Sequence, residues 1–545
     1  MGYLLNIVLA VAVLGLADLG WESPREWPWM LFVLACAPVL LGRALHALVL
    51  RGRFPAADLL ARLLAISPPV CFALLVGECG WCASVERWFG GSASFLEWPR
   101  WTLVPVIAPF VFFQALAIDA RARALWTPAT GGRWRAFQLR MFSSALLPIA
   151  VYVAASIGIG CFPELRTRIE VVALYNVLFA GAMLVVLALF LPFLLRNTWE
   201  TEPIPAGTQR SVLESVARAA GFRARELLVW RTGGTMANAA IVGLGKHTRV
   251  VLFSDLLLAQ LDPRELAAVF AHEMGHAVRR HVFVFVALAG GFFLSLDALA
   301  NALLDVNEWL AGGFVLAALA GGYFAFGWLS RRFELEADLY SLALLRDPQA
   351  LIDALEKVGG SFRDVASWRH FSTSRRVEFL VRTTHDARVG TRLLKLLRIV
   401  SVAAVAWFVI ALGAQLWTVS RAAPVELVQA ELCLGRYERA VERAAEVAEL
   451  PEDLARLVQR ARGLTSGDDD LARLERSARA ALRAGDEVAA HEWLTLGALR
   501  HRRDLAIVAE AVREWHVDHA TDVRAVLGEE LWTAWSADLE ALRAR

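Results

Sequence analysis

Asp262-Pro-Arg-Glu-Leu-Ala-Ala-Val-Phe-Ala-His272-Glu273-Met274-Gly275-His276 is the stretch on which the rest of the chain hangs. Asp262 suits an N-cap, Pro263 suits the first helical position and Glu265 completes a capping box, so a helix begins here. On that helix His272 and His276 are i and i+4 and stack on one face. Two imidazoles so placed can share a zinc ion at about 2.0–2.1 Å, and Glu273 between them can act as general base on a water at the metal.

A catalytic zinc takes a third protein ligand and keeps one position open. Downstream, Phe333-Glu334-Leu335-Glu336-Ala337-Asp338 offers it. Glu334 and Asp338 are again i and i+4, so one carboxylate can bind metal while the other hydrogen-bonds a ligating histidine. Glu336 faces away from that pair and is the weaker ligand candidate. The competing reading, a solvated acidic face pairing with Arg331 and Arg332, would contribute little.

Around this constellation the composition describes a membrane protein. The 545 residues are 57% hydrophobic and 20% charged, against about 45–50% and 25% in a soluble domain. Apolar runs near 3–18, 29–50, 60–78, 101–118, 141–160, 171–195, 282–304, 309–330 and 397–418 give about nine spans. The first can also be read as a signal peptide, although no Lys or Arg precedes it. Pro68-Pro69 should kink the third or make it re-entrant. Trp27, Trp29, Trp98, Trp101 and Trp199 fall at span ends, as an interfacial belt would.

Arginine sets the orientation. The basic side chains are almost all arginine, with lysine only at 246, 357 and 395. Arg51, Arg53 and Arg62, then Arg121, Arg123, Arg133, Arg135 and Arg140, mark alternate loops as cytoplasmic. Segments 196–281 and 331–396 then face the cytoplasm, and the tail after about 420 is extracytoplasmic. A net charge of +2 gives no reason to expect a nucleic-acid partner. Six cysteines cannot build a disulfide scaffold; Cys79 and Cys82 form a C-x-x-C without a second ligand pair to complete a zinc site.

With these residues in view, the chain resembles, over roughly 205–385, the membrane zinc metallopeptidases that include the CAAX prenyl proteases and the bacterial HtpX heat-shock proteases. The resemblance rests on Asn238-Ala239-x-x-x-Gly243, on the H-E-x-x-H at 272–276 followed by His281, on Glu334–Asp338, and on two spans between the second histidine and Glu334. It implies one zinc on His272, His276 and Glu334, Glu273 as base, and an edge strand at Asn238 and Ala239 that pairs with an extended substrate. His370 and Arg376 keep the family's H-x5-R spacing, although Phe371-Ser372 replaces the usual prolines. Either is a candidate oxyanion donor, with helix packing or support of the metal site as the competing role. His281 reads as a supporting or interfacial residue and His385 as a surface one.

The remaining soluble sequence divides in two. Segment 205–260 reads as a helix at 211–220 and strands at Glu226–Arg231, Asn238 and Arg249–Phe253, a small α+β zincin-like unit. Residues 424–545 are rich in Ala, Arg, Glu and Leu at helical spacing. There Ala430–Ala440 resembles the first helix of a tetratricopeptide repeat and Ala481–Ala489 echoes it; Asp468–Asp470 reads as a loop or cap.

The expectation is a mainly α, polytopic protein: N-terminal spans over 1–195, a zinc metallopeptidase domain over 196–396, a last span at 397–418, and a helical-repeat domain over 424–545. It should be an inner-membrane zinc endopeptidase acting on membrane or misfolded proteins, as in the HtpX branch, its tail open to a protein partner. The alternative is a non-enzymatic membrane scaffold that recruits partners through that tail.

Overall fold

The computed structural model describes residues 2–500 apart from 19–20, 22–24, 90–99, 244, 305, 361–362, 367, 369, 465–472, 474–475, 478–479, 482–483 and 485. Trp98, the Asp468–Asp470 run and the tail beyond 500 therefore lie outside the described residues. Two compact units emerge, one of residues 1–160 and 183–413, the other of 161–182 and 414–545.

In the first unit the N-terminal helices are α1 (Gly2–Asp18), α2 (Met30–Leu50), α3 (Phe54–Gly77), α4 (Trp81–Phe89), α5 (Leu103–Leu125) and α6 (Pro128–Gly160). After α7 (Pro163–Val171), α8 (Ala173–Thr198) leads into β1 (Thr201–Pro203), α9 (Thr208–Ala219), β2 (Glu226–Trp230), β3 (Ala239–Val242), β4 (Val250–Ser254) and α10 (Asp255–Gln260). The unit continues through α11 (Pro263–Val278), α12 (His281–Leu304), α13 (Glu308–Leu345), α14 (Pro348–Gly359), α15 (Thr373–His385) and the first part of α16 (Ala387–Cys433). Among the described residues eight helices are long and apolar enough to cross a membrane, and the apolar helix at 3–17 is shorter. The protein is a multi-pass membrane protein.

α3 runs through Pro68-Pro69 from Phe54 to Gly77, so of the two sequence readings the re-entrant one fails. A helix-interior proline orphans the carbonyl four residues back, and here neighbours satisfy it. Ser67 Oγ donates to Leu64 O (3.0 Å), and Asn6 Nδ2 on α1 donates to Ala65 O (2.9 Å). The same device recurs at Pro109, where Trp81 Nε1 donates to Pro105 O (3.3 Å), and at Pro38, where the Cys71 thiol faces Leu34 O (3.7 Å). In hydrocarbon an unsatisfied carbonyl costs several kcal/mol, about what the kink would otherwise relieve. Asn6 also donates to Gln114 Oε1 (2.8 Å), which fixes α1 in the bundle beside α3 and α5.

The sheet has order β1-β2-β4-β3, with β2 and β4 parallel and both outer pairs antiparallel. β1 was missed from sequence: three residues show no periodicity. One sheet face packs on α9 and α11 through Val229, Val251, Phe253, Phe270 and Met274. The other packs on the start of α6 through Phe137, Trp230 and Leu252. Trp199, which directly follows α8, joins this second layer: it stacks on Trp230 at 4.2 Å between ring centres and donates from Nε1 to Ser144 Oγ (2.7 Å). The start of α6 is thus held against the sheet.

In the second unit the tail is helical where described, with α17 (Tyr437–Glu446), α18 (Glu452–Ala461) and α19 (Glu487–Arg500) packed around Val428, Leu432, Tyr437, Leu457 and Leu496. Ala430–Ala440 is not one helix: α16 ends at Cys433, Gly435 takes φ +68° and α17 starts at Tyr437. Arg436 N donates to Glu431 O (2.9 Å) and Asp486 N to Ala481 O (3.0 Å), the backbone bonds of a helix C-terminus. Buried Glu431 holds Arg168 and Arg443, and Arg436 forks onto Glu164 (2.7 and 2.8 Å). These ion pairs tie the segment around α7 to the tail within the second unit.

Candidate active site

The site is built where α11 meets α13. The capping box is formed, with Asp262 accepting from Arg264 N and Glu265 N (both 2.9 Å) and Glu265 accepting from Asp262 N (3.0 Å). Glu265 is buried and also takes Lys357 from α14 (2.6 Å), a partner no local pattern announces. A Cβ on Gly275 would lie 3.0 Å from Ala337 Cα, so the residue between the motif's glutamate and second histidine lets the two helices touch. Ser341 Oγ closes the contact on Ala268 O (2.9 Å). α13 is continuous from the predicted span into the E-x-x-x-D segment, so Glu334 stands on a rigid membrane helix.

His272, His276 and Glu334 present one ligand atom each within 4.8 Å of one another. The two Nε2 atoms are 3.2 Å apart, His272 Nε2 lies 3.5 Å from Glu334 Oε2, and His276 Nε2 lies 3.6 Å from the other carboxylate oxygen, Oε1. Ligands about 2.0–2.1 Å from a tetrahedral ion stand about 3.3–3.5 Å apart, so the donor set fits zinc.

The other nitrogen of each imidazole is fixed. His272 Nδ1 is 2.8 Å from Asp338 Oδ1, and Arg376 forks onto the same carboxylate through Nε (2.9 Å) and Nη2 (2.5 Å). His276 Nδ1 meets His281 Nδ1 at 2.8 Å, and His281 Nε2 meets Glu336 Oε2 at 3.1 Å. With protons on His276 Nδ1 and His281 Nε2 the relay is satisfied and both Nε2 lone pairs of the H-E-x-x-H face the ligand triangle. The His281 ring lies flat on Phe333, 4.0 Å between centres and 4° from parallel. Glu336 does point away from Glu334, as read from sequence; what sequence could not show is that His281 waits there.

The charges follow the geometry. Burial pushes the Glu273 carboxyl up to about 7, against the pull of His272. Burial alone would lower His272, yet the Asp338 and Glu334 carboxylates raise it to about 9. Burial and the charge on His272 push His276 down to about 3.

Asn238, Ala239, His272, Glu273, His276, Glu334, His370 and Arg376 line one cleft of 500 Å³, with Val269, Leu351, Leu355 and Val358 as its apolar side. β3 is an edge strand. Asn238 gives its N–H to Ser254 Oγ and its C=O to Ser254 N (both 2.9 Å), so by strand alternation the backbone groups of Ala239 turn to the open edge. Gly243 ends β3 with φ +105° where a Cβ would meet Thr248 O at 2.4 Å, so only glycine makes this return to β4. His370 is half-exposed, its Nδ1 3.3 Å from Glu334 Oε2. Arg376 is nearly buried and already spent on Asp338, which separates the two residues that sequence treated alike.

Residues 203–385 match Peptidase family M48. A CAAX prenyl protease 1 homolog from Arabidopsis thaliana is 29% identical over 162 residues, 26% of this chain and 38% of that protein. Protease HtpX homolog 1 from Streptomyces coelicolor is 33% identical over 138 residues, 23% of this chain and 45% of that protein. The chain thus spans less than half the length of these relatives. The crystal structure of S. mikatae Ste24p aligns with 65% of this chain and 99% of that chain at 14% identity and a TM-score of 0.37. The segment that carries the His-His-Glu cluster is similar to metalloproteases of family M48 and is set in a multi-pass membrane protein.

Proposed function

We propose that the protein is an integral-membrane zinc endopeptidase, and the observation that carries this reading is the ligand triangle beside Glu273 and an open strand edge in one cleft. His272, His276 and Glu334 would hold one zinc ion. Zinc, when bound, polarises the scissile carbonyl and acidifies the attacking water. Ala239 would pair with the extended substrate backbone, as edge strands do, and the apolar side of the cleft at Leu351, Leu355 and Val358 would favour aliphatic or aromatic substrate side chains. Glu273 would take the proton from the attacking water and pass it to the leaving amine. His370, exposed at the cleft, is the better oxyanion donor; Arg376 orients Asp338, which orients His272.

Membrane or misfolded proteins are the proposed substrates, cleaved on the cytoplasmic face of an inner membrane, with the helical tail on the far side. Over the described residues the ligand set stops at three side chains with a carboxylate base beside it. A scaffold with a structural zinc would be closed by a fourth protein ligand and has no use for Glu273.

The direct test is metal content of detergent-purified protein. Wild type should carry close to one zinc per chain, and His272→Ala and Glu334→Gln should each lose it by mass spectrometry of the digested metal. Full occupancy in both variants would overturn the assignment of ligands. The relay behind His276 has its own signature. His281→Asn should weaken zinc binding by about 10–100-fold in a competition titration with a chelator, while an unchanged affinity would reduce His281 to packing against Phe333.

A further inference from the structure

Beside the catalytic unit, α12 and α16 are in contact where a Cβ on Gly290 would lie 2.5 Å from Phe408 and one on Gly291 3.1 Å from Trp407. Trp407 Nε1 also donates to Ser295 Oγ (3.0 Å). Beside this contact, toward the start of α12, lies a groove of 980 Å³. Its walls are Phe283 on α12 and Val402, Val405, Val409 and Ile410 on α16, all exposed. Its floor is Arg249, Arg279 and Arg280.

Those three arginines are poorly matched by acids. Arg279 shares Glu336 at 3.5 Å, a carboxylate already committed to His281. Arg249 has a buried Nε with no hydrogen-bond partner, its Nη1 reaches the Arg223 carbonyl at 3.4 Å, and its guanidinium lies 4.6 Å over the Phe222 ring. Arg280 sits at the junction of α11 and α12 with φ 58°, a conformation that glycine or asparagine would adopt at less cost. A cationic side chain is thus placed at a strained turn where α11 hands over to a membrane helix.

We propose that this groove binds one anionic phospholipid of the leaflet on the catalytic side, its phosphate between Arg249 and Arg280 and an acyl chain along Phe283 and Val402–Ile410. The charges and the depth single out this occupant. Guanidinium groups bind phosphate oxygens through paired N–H donors, and basic pockets at membrane-helix ends attract anionic headgroups. A spanning peptide would bring no negative charge to the floor, and a free phosphate would leave the apolar walls uncovered. Arg249 and Arg280 also line, with Glu273 and His276, a smaller cavity of 70 Å³. The headgroup would therefore lie next to the proposed active site, although its binding does not depend on peptidase activity.

The test uses the full chain reconstituted in vesicles of four parts phosphatidylcholine to one part phosphatidylglycerol, re-extracted into detergent and analysed for retained phospholipid. Wild type should keep close to one phosphatidylglycerol per chain in preference to phosphatidylcholine. The double variant Arg249→Gln/Arg280→Asn should retain about tenfold less; asparagine is chosen because it tolerates the positive φ. The Arg249→Lys/Arg280→Lys pair should restore part of the retention. Val405→Trp, which fills the apolar wall and leaves the charges alone, should displace the lipid as well. Undiminished phosphatidylglycerol in the double variant, equal retention of both lipids, no effect of Val405→Trp, or displacement by glycerol 3-phosphate as readily as by phosphatidylglycerol would each overturn the proposal.

Discussion

Glu273→Gln should keep its zinc and lose peptide hydrolysis by about 10³-fold or more, a loss to be read as casein cleavage by detergent-purified protein beside wild type. The substitution is nearly isosteric and leaves His272, His276 and Glu334 untouched, so the ligand triangle survives. What it removes is a carboxyl that burial pushes up to about 7, where it can accept a proton from the attacking water and still release it to the leaving amine. Glutamine can hydrogen-bond in the same place but cannot exchange that proton. Wild-type turnover in a zinc-loaded Glu273→Gln protein would remove Glu273 from the chemistry. Loss of both zinc and turnover would mean that the residue supports the metal site, a different role from the one proposed.

What the sequence made legible at this site was local. The capping box at Asp262 and Glu265, the i, i+4 histidines and the Glu334/Asp338 pair are statements about one helix each, and one helix obeys its own periodicity. The structure forms all three as read. The strand at Asn238 was legible as a short apolar run between turn residues; its place at the edge was implied only by the family resemblance, and β3 does stand at the edge. What stayed hidden was set by meetings between distant segments. That Arg376 ends on Asp338, that Lys357 reaches Glu265, and that Glu336 faces His281 depend on how α14, α15 and α12 dock, which no spacing encodes.

The membrane helices show the converse case, in which a sound local rule was overruled. Pro68-Pro69 should break a helix because two carbonyls lose their donors. Ser67 and Asn6 supply donors to those two carbonyls, and Asn6 comes from a helix some sixty positions earlier. In water the freed carbonyls would be solvated and the kink would cost little. In hydrocarbon a side-chain donor becomes the cheaper solution. The Ala430–Ala440 segment failed for a different reason: helical periodicity continues across a glycine turn, so the pattern alone could not place the end of α16.

Arg376→Ala is the second large effect, expected to destabilise the protein by about 3–5 kcal/mol, because it leaves a buried carboxylate without its counter-charge. Asp338 is fully buried and accepts from both the guanidinium and His272. The guanidinium is itself nearly buried and stays protonated because burial, which opposes its charge, is outweighed by Asp338 beside it. Removing the arginine leaves Asp338 charged against one imidazole whose protonation competes with metal binding, so zinc affinity should fall together with stability. The double variant Arg376→Ala/Asp338→Asn should recover part of the lost stability, since the unpaired charge is gone, but not the zinc affinity, since His272 has lost its carboxylate. An exposed pair gives the control: Arg382→Ala, facing Glu378 with both side chains more than half exposed, should change the unfolding midpoint little. If urea unfolding placed Arg376→Ala beside Arg382→Ala, the buried pair would not be holding the site. If the double variant bound zinc as wild type does, Asp338 would have no part in orienting His272, and the preference for Arg376 as a positioning residue over an oxyanion donor would fall with it.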